Sequence, residues 1–219
     1  MSSEYWIGGF PATYSTGREK PWKQRLNQAL SGKQYHENTI DLQFVFTKDN
    51  YEKRPYDIDN LCEPVFAVLA SSLRWFSGSR RNISLWTARK HIGKEQGLLI
   101  RDTNSSILTP SNMPLFNEVY GGALPTRATD DGLPLWIKSL GEFKVGKKCS
   151  VRLTFQNMPV NIADISTGNV KSIIDCLYPI LGGGPKAPND RIIEMLTVER
   201  VSSNDKMPGV RIAVWEGQG

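Results

Sequence analysis

Apolar and polar residues alternate along this chain in runs that come as matched pairs. Leu42, Phe44 and Phe46 in DLQFVF keep a period of two, and so do Val151, Leu153 and Phe155 in SVRLTF. Each run predicts a strand with one face buried. A later pair, NISLWTARK and RIIEMLTVER, predicts two more strands, with GLLI and VRIAV behind them. Between the members of each set the period lengthens to that of a helix. Leu61, Val65, Val68 and Leu69 form one apolar stripe, and Val170, Ile173, Ile174 and Leu177 form its counterpart. Each set also has an earlier helix-like stretch carrying a tryptophan, PWKQRL around Trp22 and PLWIKSL around Trp136.

The paired elements follow the same order, which reads as an internal duplication from about Tyr5 to Asp102 and again from about Asn117 to Glu216. The openings agree as well. Tyr5, Gly8, Gly9, Pro11 and Thr13 are echoed by Tyr120, Gly121, Gly122, Pro125 and Thr126. A period near 110 residues is too long for a solenoid, so the expectation is two domain-sized copies. The fold class expected is α+β, each copy a mixed sheet flanked by helices. The boundaries are 1–102 for the first repeat, 103–117 for a Ser-, Thr-, Asn- and Pro-rich linker, and 118–219 for the second repeat. At 219 residues the chain is long enough for two cores.

Composition narrows the class of function. A hydrophobic fraction of 39% and an aromatic fraction of 10% describe a folded chain. No apolar stretch approaches the roughly 20 residues of a membrane span, and MSSEYW lacks a signal-peptide core, so cytoplasm is the expected compartment. Three cysteines, Cys62, Cys149 and Cys176, form no C-x-x-C pair and fall at unmatched places, which argues against disulfides and structural zinc. With only two histidines, His36 and His91, a mechanism built on a Ser-His or Cys-His pair has little to work with.

The net charge of +5 is uneven: +4 lies in the residues through Thr109 and +1 in the remainder. Arg74, Arg80, Arg81, Arg89, Lys90 and Lys94 gather near Trp75, Phe76 and Trp86. Basic residues interleaved with aromatics suit a phosphate backbone and an unstacked base. The same pattern also describes a solvated strand face with snorkelling side chains.

Candidate chemistry concentrates where strand gives way to helix. In RPYDIDNLCEPVFAVL, Asp57 and Asp59 stand two apart on an extended segment, which directs both carboxylates to one side. Asn60 reads as the helix N-cap and Glu63 as its capping-box partner. Paired carboxylates at a helix start seek a hard cation such as Mg²⁺ or Mn²⁺. The plainer alternative leaves Asp59 as a cap and Asp57 in solvent. In the second copy, Lys171 and Asp175 are one helical turn apart, and Asn189 and Asp190 precede the next strand. Asp164, Lys171 and Asp190 are expected to converge on a metal-bound phosphate. The run GGGPK at Gly182 to Lys186 lacks P-loop spacing and reads as a turn.

The order strand, D-x-D-N, helix with K-x-x-x-D-x-L, loop, and carboxylate before a strand resembles the RusA family of Holliday junction resolvases. GGFPAT and the following PWK add to that likeness, which spans most of each copy. The resemblance implies a small α+β fold and a two-fold pair of subunits. It further implies clustered aspartates that use Mg²⁺, with a nearby lysine, to cut branched DNA.

Neither copy keeps the whole set. The first matches the paired aspartates and asparagine at Asp57, Asp59 and Asn60, but has Glu63 in place of the lysine and Arg80 or a neighbour in place of the later aspartate. The second matches at Lys171, Asp175 and Asp190, while its D-x-D-N has become DISTGN, with Asp164 out of register.

The resemblance therefore implies catalytic roles for Lys171, Asp164, Asp175 and Asp190, and metal binding by Asp164, Asp190, Asp57 and Asp59. The second copy is expected to be the more competent, and a site composed from both copies is also open. Arg74, Arg80, Arg81, Arg89, Lys90, Lys186 and Arg191 are the candidate DNA contacts. The implied protein is a monomer acting as an internal pseudo-dimer, a Mg²⁺- or Mn²⁺-dependent endonuclease on branched or structured DNA. A non-cleaving DNA-binding or assembly module descended from such a nuclease is the alternative, and a sequence-specific nuclease in a defence or mobile-element setting is a third.

Overall fold

A computed structural model of the chain describes residues 4–53, 56–102, 110–185, 187–202, 204 and 207–217. The first half supplies β1 (Glu4–Gly8), α1 (Glu19–Leu30), β2 (Thr39–Phe46), α2 (Lys48–Lys53), α3 (Ile58–Phe66), β3 (Leu85–Ile92) and β4 (Gly97–Arg101). The second supplies β5 (Phe116–Tyr120), α4 (Gly132–Leu140), β6 (Cys149–Gln156), α5 (Asn169–Cys176), α6 (Tyr178–Leu181), the short pair β7 (Gly183–Gly184) and β8 (Ala187–Pro188), then β9 (Ile193–Val201) and β10 (Gly209–Glu216). Of the expected linker, residues 103–109 lie outside the described residues, and Phe116 and Asn117 already belong to β5.

The fold is α+β, built on one mixed eight-stranded sheet in the order β1-β4-β2-β3-β9-β6-β10-β5. Read inward from either edge, the two halves lay down their strands in the same order and sense. In the first, β1 and β4 are antiparallel, β4 and β2 antiparallel, and β2 and β3 parallel. In the second, the same senses join β5 to β10, β10 to β6 and β6 to β9. The halves meet where β3 runs antiparallel to β9, with Thr87 opposite Thr197 and their hydroxyls 3.3 Å apart. Each parallel pair is connected through helices, α3 in the first half and α5 and α6 in the second, as a parallel connection requires.

Alternation decides which face is covered. Ile40, Leu42, Phe44 and Phe46 of β2 and Val151, Leu153 and Phe155 of β6 are fully buried, as their period predicted. The one-face expectation fails for β2, whose intervening Asp41, Gln43 and Val45 are buried too. The polar side chains at such positions pair across strands, Arg89 with Asp41 at 3.2 Å, Arg152 with Glu199 at 2.8 Å, and Thr154 with Glu199. One hydrophobic cluster runs through both halves, from Ile7 to Val214. Its largest fully buried side chain among the described residues is Trp86 of β3, which meets Phe66 edge-on at 5.4 Å and donates its indole N–H to the Ile162 carbonyl at 2.8 Å. Helix α3 lies against both β3 and β9, so its first turn sits over the junction of the halves. No helix among the described residues is long and apolar enough to cross a membrane.

Candidate active site

Helix α3 begins at Ile58 and its N-cap is Asp57, with extended backbone, three residues earlier than the Asn60 cap expected from sequence. The Asp57 carboxylate caps no backbone N–H; its Oδ2 accepts from Asn60 Nδ2 at 3.0 Å. Asp59 lies in the first helical turn and is 1% exposed. A carboxylate this deep needs a cationic partner, and the second half provides it.

On α5, Lys171 extends its ammonium to Asp175 one turn along, at 2.8 Å. The same Nζ lies 2.9 Å from Asp190 Oδ2 and 3.2 Å from Asp59 Oδ2. Asp190 is held by a single 3-10 turn, Asp190–Ile192, that leads directly into β9. Val170, Ile173 and Ile174 bury the opposite side of α5 and fix its rotation, so Lys171 and Asp175 have only this face to occupy. One lysine thus gathers carboxylates from both halves of the chain.

The charges shift one another as their spacing demands. Burial, reinforced by repulsion from Asp190 and Asp59, pushes the Asp57 carboxyl up to about 6. Asp59 is likewise raised by burial, with Lys171 opposing and Asp190 adding to the rise. Asp175 is raised by burial against the pull of Lys171. Burial also works against charge on Lys171, but Asp59, Asp190 and Asp175 outweigh it and hold its pKa above the ordinary value.

Lys90, expected to be a DNA contact, is instead turned into the protein and is 6% exposed. Its ammonium donates to the Tyr56 carbonyl at 2.6 Å and to the Arg191 carbonyl at 2.9 Å. These carbonyls belong to the residues adjoining Asp57 and Asp190. Lys90 therefore staples the first half's carboxylate segment to that of the second. Burial lowers its pKa to about 8, against the attraction of Asp57, Asp59 and Asp190. Beside the staple opens a cleft of about 400 Å³ lined by Phe46, Tyr51, Tyr56, Arg191 and Glu194 among others. There Tyr51 hydrogen-bonds Glu194, and burial raises the Glu194 carboxyl to about 7.

The remaining expected residues separate by what they touch. Asp164 does not join the Lys171 cluster. Its carboxylate accepts from Thr167 N at 3.3 Å and Thr167 Oγ1 at 3.0 Å, closing the turn before α5. Gly168 permits that turn, since a Cβ there would overlap the Asp164 carbonyl oxygen. The turn replaces the D-x-D-N pattern and explains why the register of Asp164 fails. Arg80 and Glu63 pair with each other at 2.9 Å, so Glu63 is no capping-box partner and Arg80 no free cation. Arg89 is engaged by Asp41. Arg74, Arg81 and Arg191 are exposed, the last with its Nε on Asn189 Oδ1 at 3.2 Å. Lys186 lies outside the described residues.

Among the described residues, no three His, Cys, Asp or Glu side chains stand in a metal-holding arrangement. The point on which Asp59, Asp175 and Asp190 converge is taken by Lys171 Nζ. The donor chemistry nevertheless fits a hard divalent cation. Every anionic group is a carboxylate, and Asp59 Oδ1 is buried with no hydrogen-bond donor. Sequence reasoning found five members of the cluster, Asp57, Asp59, Lys171, Asp175 and Asp190. It missed the staple, whose only local signal was a lysine at an inward-facing position of a strand. No protein-family model, curated protein or solved structure matches this chain.

Proposed function

We propose that this chain is a divalent-metal-dependent endonuclease acting on branched DNA, a fused pseudo-dimer of two RusA-like halves with a catalytic centre composed from both. The observation that carries the reading is the meeting of Asp57 and Asp59 from one half with Lys171, Asp175 and Asp190 from the other. That set reunites, across the two halves, the paired aspartates, lysine and later aspartate that neither copy holds alone. The matching strand order of the halves supports the pseudo-dimer part.

Asp57, Asp59 and Asp190 are the residues that would hold Mg²⁺ or Mn²⁺, with Asp175 beside them. When bound, such an ion lowers the pKa of a coordinated water and stabilises charge on a phosphate. The chain's own groups do the rest. Four carboxylates face two ammonium groups, so the site is formally anionic and repels DNA until a cation neutralises it. Lys171, whose side chain is 26% exposed although its ammonium sits among the carboxylates, is placed to move from them onto a phosphate oxygen. Lys90 holds the two carboxylate segments at fixed separation, and the exposed Arg74, Arg81 and Arg191 are offered as backbone contacts.

The test is incubation of the protein with a labelled four-way junction, with and without Mg²⁺ or Mn²⁺. Cleavage should require the metal and fall by about 10² or more in Asp190→Asn, the scale of losing one preorganised electrostatic group. It should fall equally in Asp59→Asn. Binding of the junction without cleavage by the unmutated protein, in either metal, would favour the non-cleaving module.

A further inference from the structure

We infer that each bound junction receives one incision, because the second place at which this fold would assemble a centre is closed by its own side chains. The inference rests on the nuclease reading above and concerns how many strands that nuclease cuts.

Exchanging the roles of the two halves locates the second place. In the Lys171 cluster, the segment opening α3 meets a residue of α5 and the 3-10 turn that precedes β9. In the exchanged place, the segment opening α5, Ala163 to Ser166, meets Glu63 of α3 and the 3-10 turn Arg80–Asn82 that precedes β3. Glu63 stands where Lys171 stands, and Arg80 where Asp190 stands. The pair keeps its attraction with its signs reversed. Glu63 is 5% exposed. Arg80 Nη1 reaches Glu63 Oε1 at 2.9 Å and Oε2 at 3.0 Å. Glu63 Oε2 also accepts from the Ile165 and Ser166 backbone N–H groups at 3.3 Å, while the same Arg80 nitrogen donates to the Ala163 carbonyl at 3.4 Å. The carboxylate beside them, Asp164, is spent on Thr167.

The contrast with the first place is chemical. There, Asp59 Oδ1 is buried and accepts no hydrogen bond, and four carboxylates crowd together. Here, one buried carboxylate has both oxygens satisfied and a guanidinium fixed against it, with no acceptor left over for a cation. Extracting Glu63 from its three donors, Arg80 Nη1 and the Ile165 and Ser166 N–H groups, to bind a metal would leave a half-buried arginine without its anion, which is costly. A symmetric pair of centres would open both continuous strands of a junction. This chain opens one and leaves a nicked junction, whose second strand must be cut after the protein rebinds in the opposite orientation or by another reaction that accepts a nick.

A supercoiled plasmid with an extruded inverted repeat reads the number of cuts directly. One incision releases the supercoiling, the extruded arms are reabsorbed, and the product is a nicked circle. Two incisions within one bound complex give a linear molecule. With plasmid in excess and Mg²⁺ present, the expected product is nicked circle, with linear molecules under about a tenth of it. Linear product forming as fast as nicked circle would overturn the inference while leaving the nuclease standing. Failure to cut either the plasmid or a synthetic junction would remove the nuclease reading and this inference with it. As a second measurement, Asp164→Asn should nick within about twofold of the parent rate, whereas Asp190→Asn should nick about 10² slower or worse. Nicking by Asp190→Asn at the parent rate would place a working centre at Glu63 and Asp164 and refute the closure.

Discussion

Lys171→Met tests the claim that an ammonium and a divalent cation compete for one point. In the parent protein Nζ lies within 3.2 Å of Asp59, Asp175 and Asp190, whose side chains are 1%, 14% and 9% exposed. Removing one partner of a buried ion pair costs about 3–5 kcal/mol, and partial exposure of Lys171 puts the expected loss at the lower end. For a protein of this size a loss of about 3 kcal/mol lowers Tm by roughly 6–12 °C. Methionine keeps the stem and the packing, so the loss should be electrostatic. Mg²⁺ should then restore what the lysine supplied. At roughly a hundred times Kd it returns about 2.7 kcal/mol, or roughly 5–11 °C in a protein this large. In the parent the ammonium must first be displaced, so the same Mg²⁺ should raise Tm by much less. The assay is thermal unfolding by calorimetry in a chelator and across a Mg²⁺ titration. Working at pH 8 keeps Asp57, pushed up to about 6, ionised. An equal Mg²⁺ shift in the two proteins, or none in the variant, would refute the idea that these carboxylates form a cation site.

Lys90→Met should strip the Tyr56 and Arg191 carbonyls of their donor, costing about 1–3 kcal/mol, and should slow cleavage more than it weakens DNA binding. Because burial drops the Lys90 pKa from 10.5 to about 8, the folded chain binds fewer protons than the unfolded one between those values; stability should fall as pH is lowered from 10.5 to 8 and level off below, and this component should vanish in Lys90→Met, as denaturant titrations across that range would record. Replacing the exposed Arg74 and Arg81 with glutamine should flatten the logarithmic dependence of DNA affinity on salt by about 1.8 if each touches a phosphate, and an unchanged slope would return them to the solvated surface. Trp86→Phe should cost roughly 2–3 kcal/mol in chemical denaturation, since it leaves the Ile162 carbonyl without its donor and a void beside Phe66.

Local periodicity made the architecture legible, and distance along the chain hid what remained. Leu42, Phe44 and Phe46, and Val151, Leu153 and Phe155, declare their strands because neighbours two apart share a face. Lys171 and Asp175 declare a shared helix face for the same reason. The partners of Asp59 lie more than a hundred residues away, and nothing local says that they belong to α5 and β9. Asp164 misled because it keeps the right residue type beside a helix, while the inserted turn through Thr167 and Gly168 redirects it. The basic group misled through composition. Arg80, Arg89 and Lys90 are written in the sequence as charge to spare, and their anions and carbonyls, Glu63, Asp41, Tyr56 and Arg191, become visible only when strands are laid side by side.

The β3–β9 seam also sets when the chain brings its two carboxylate segments together. Thr87 and Thr197 are 110 residues apart, and pairing at such separation closes late, after the entropy of a long loop has been overcome. Until it closes, Asp59 has no lysine and Asp190 has no partner across the seam. A chain still emerging during synthesis, or a fragment released by proteolysis, carries half of the carboxylate–lysine cluster. On the proposed nuclease reading, activity is tied to the last long-range step of folding, and competence to cut would report that both halves are present and in register.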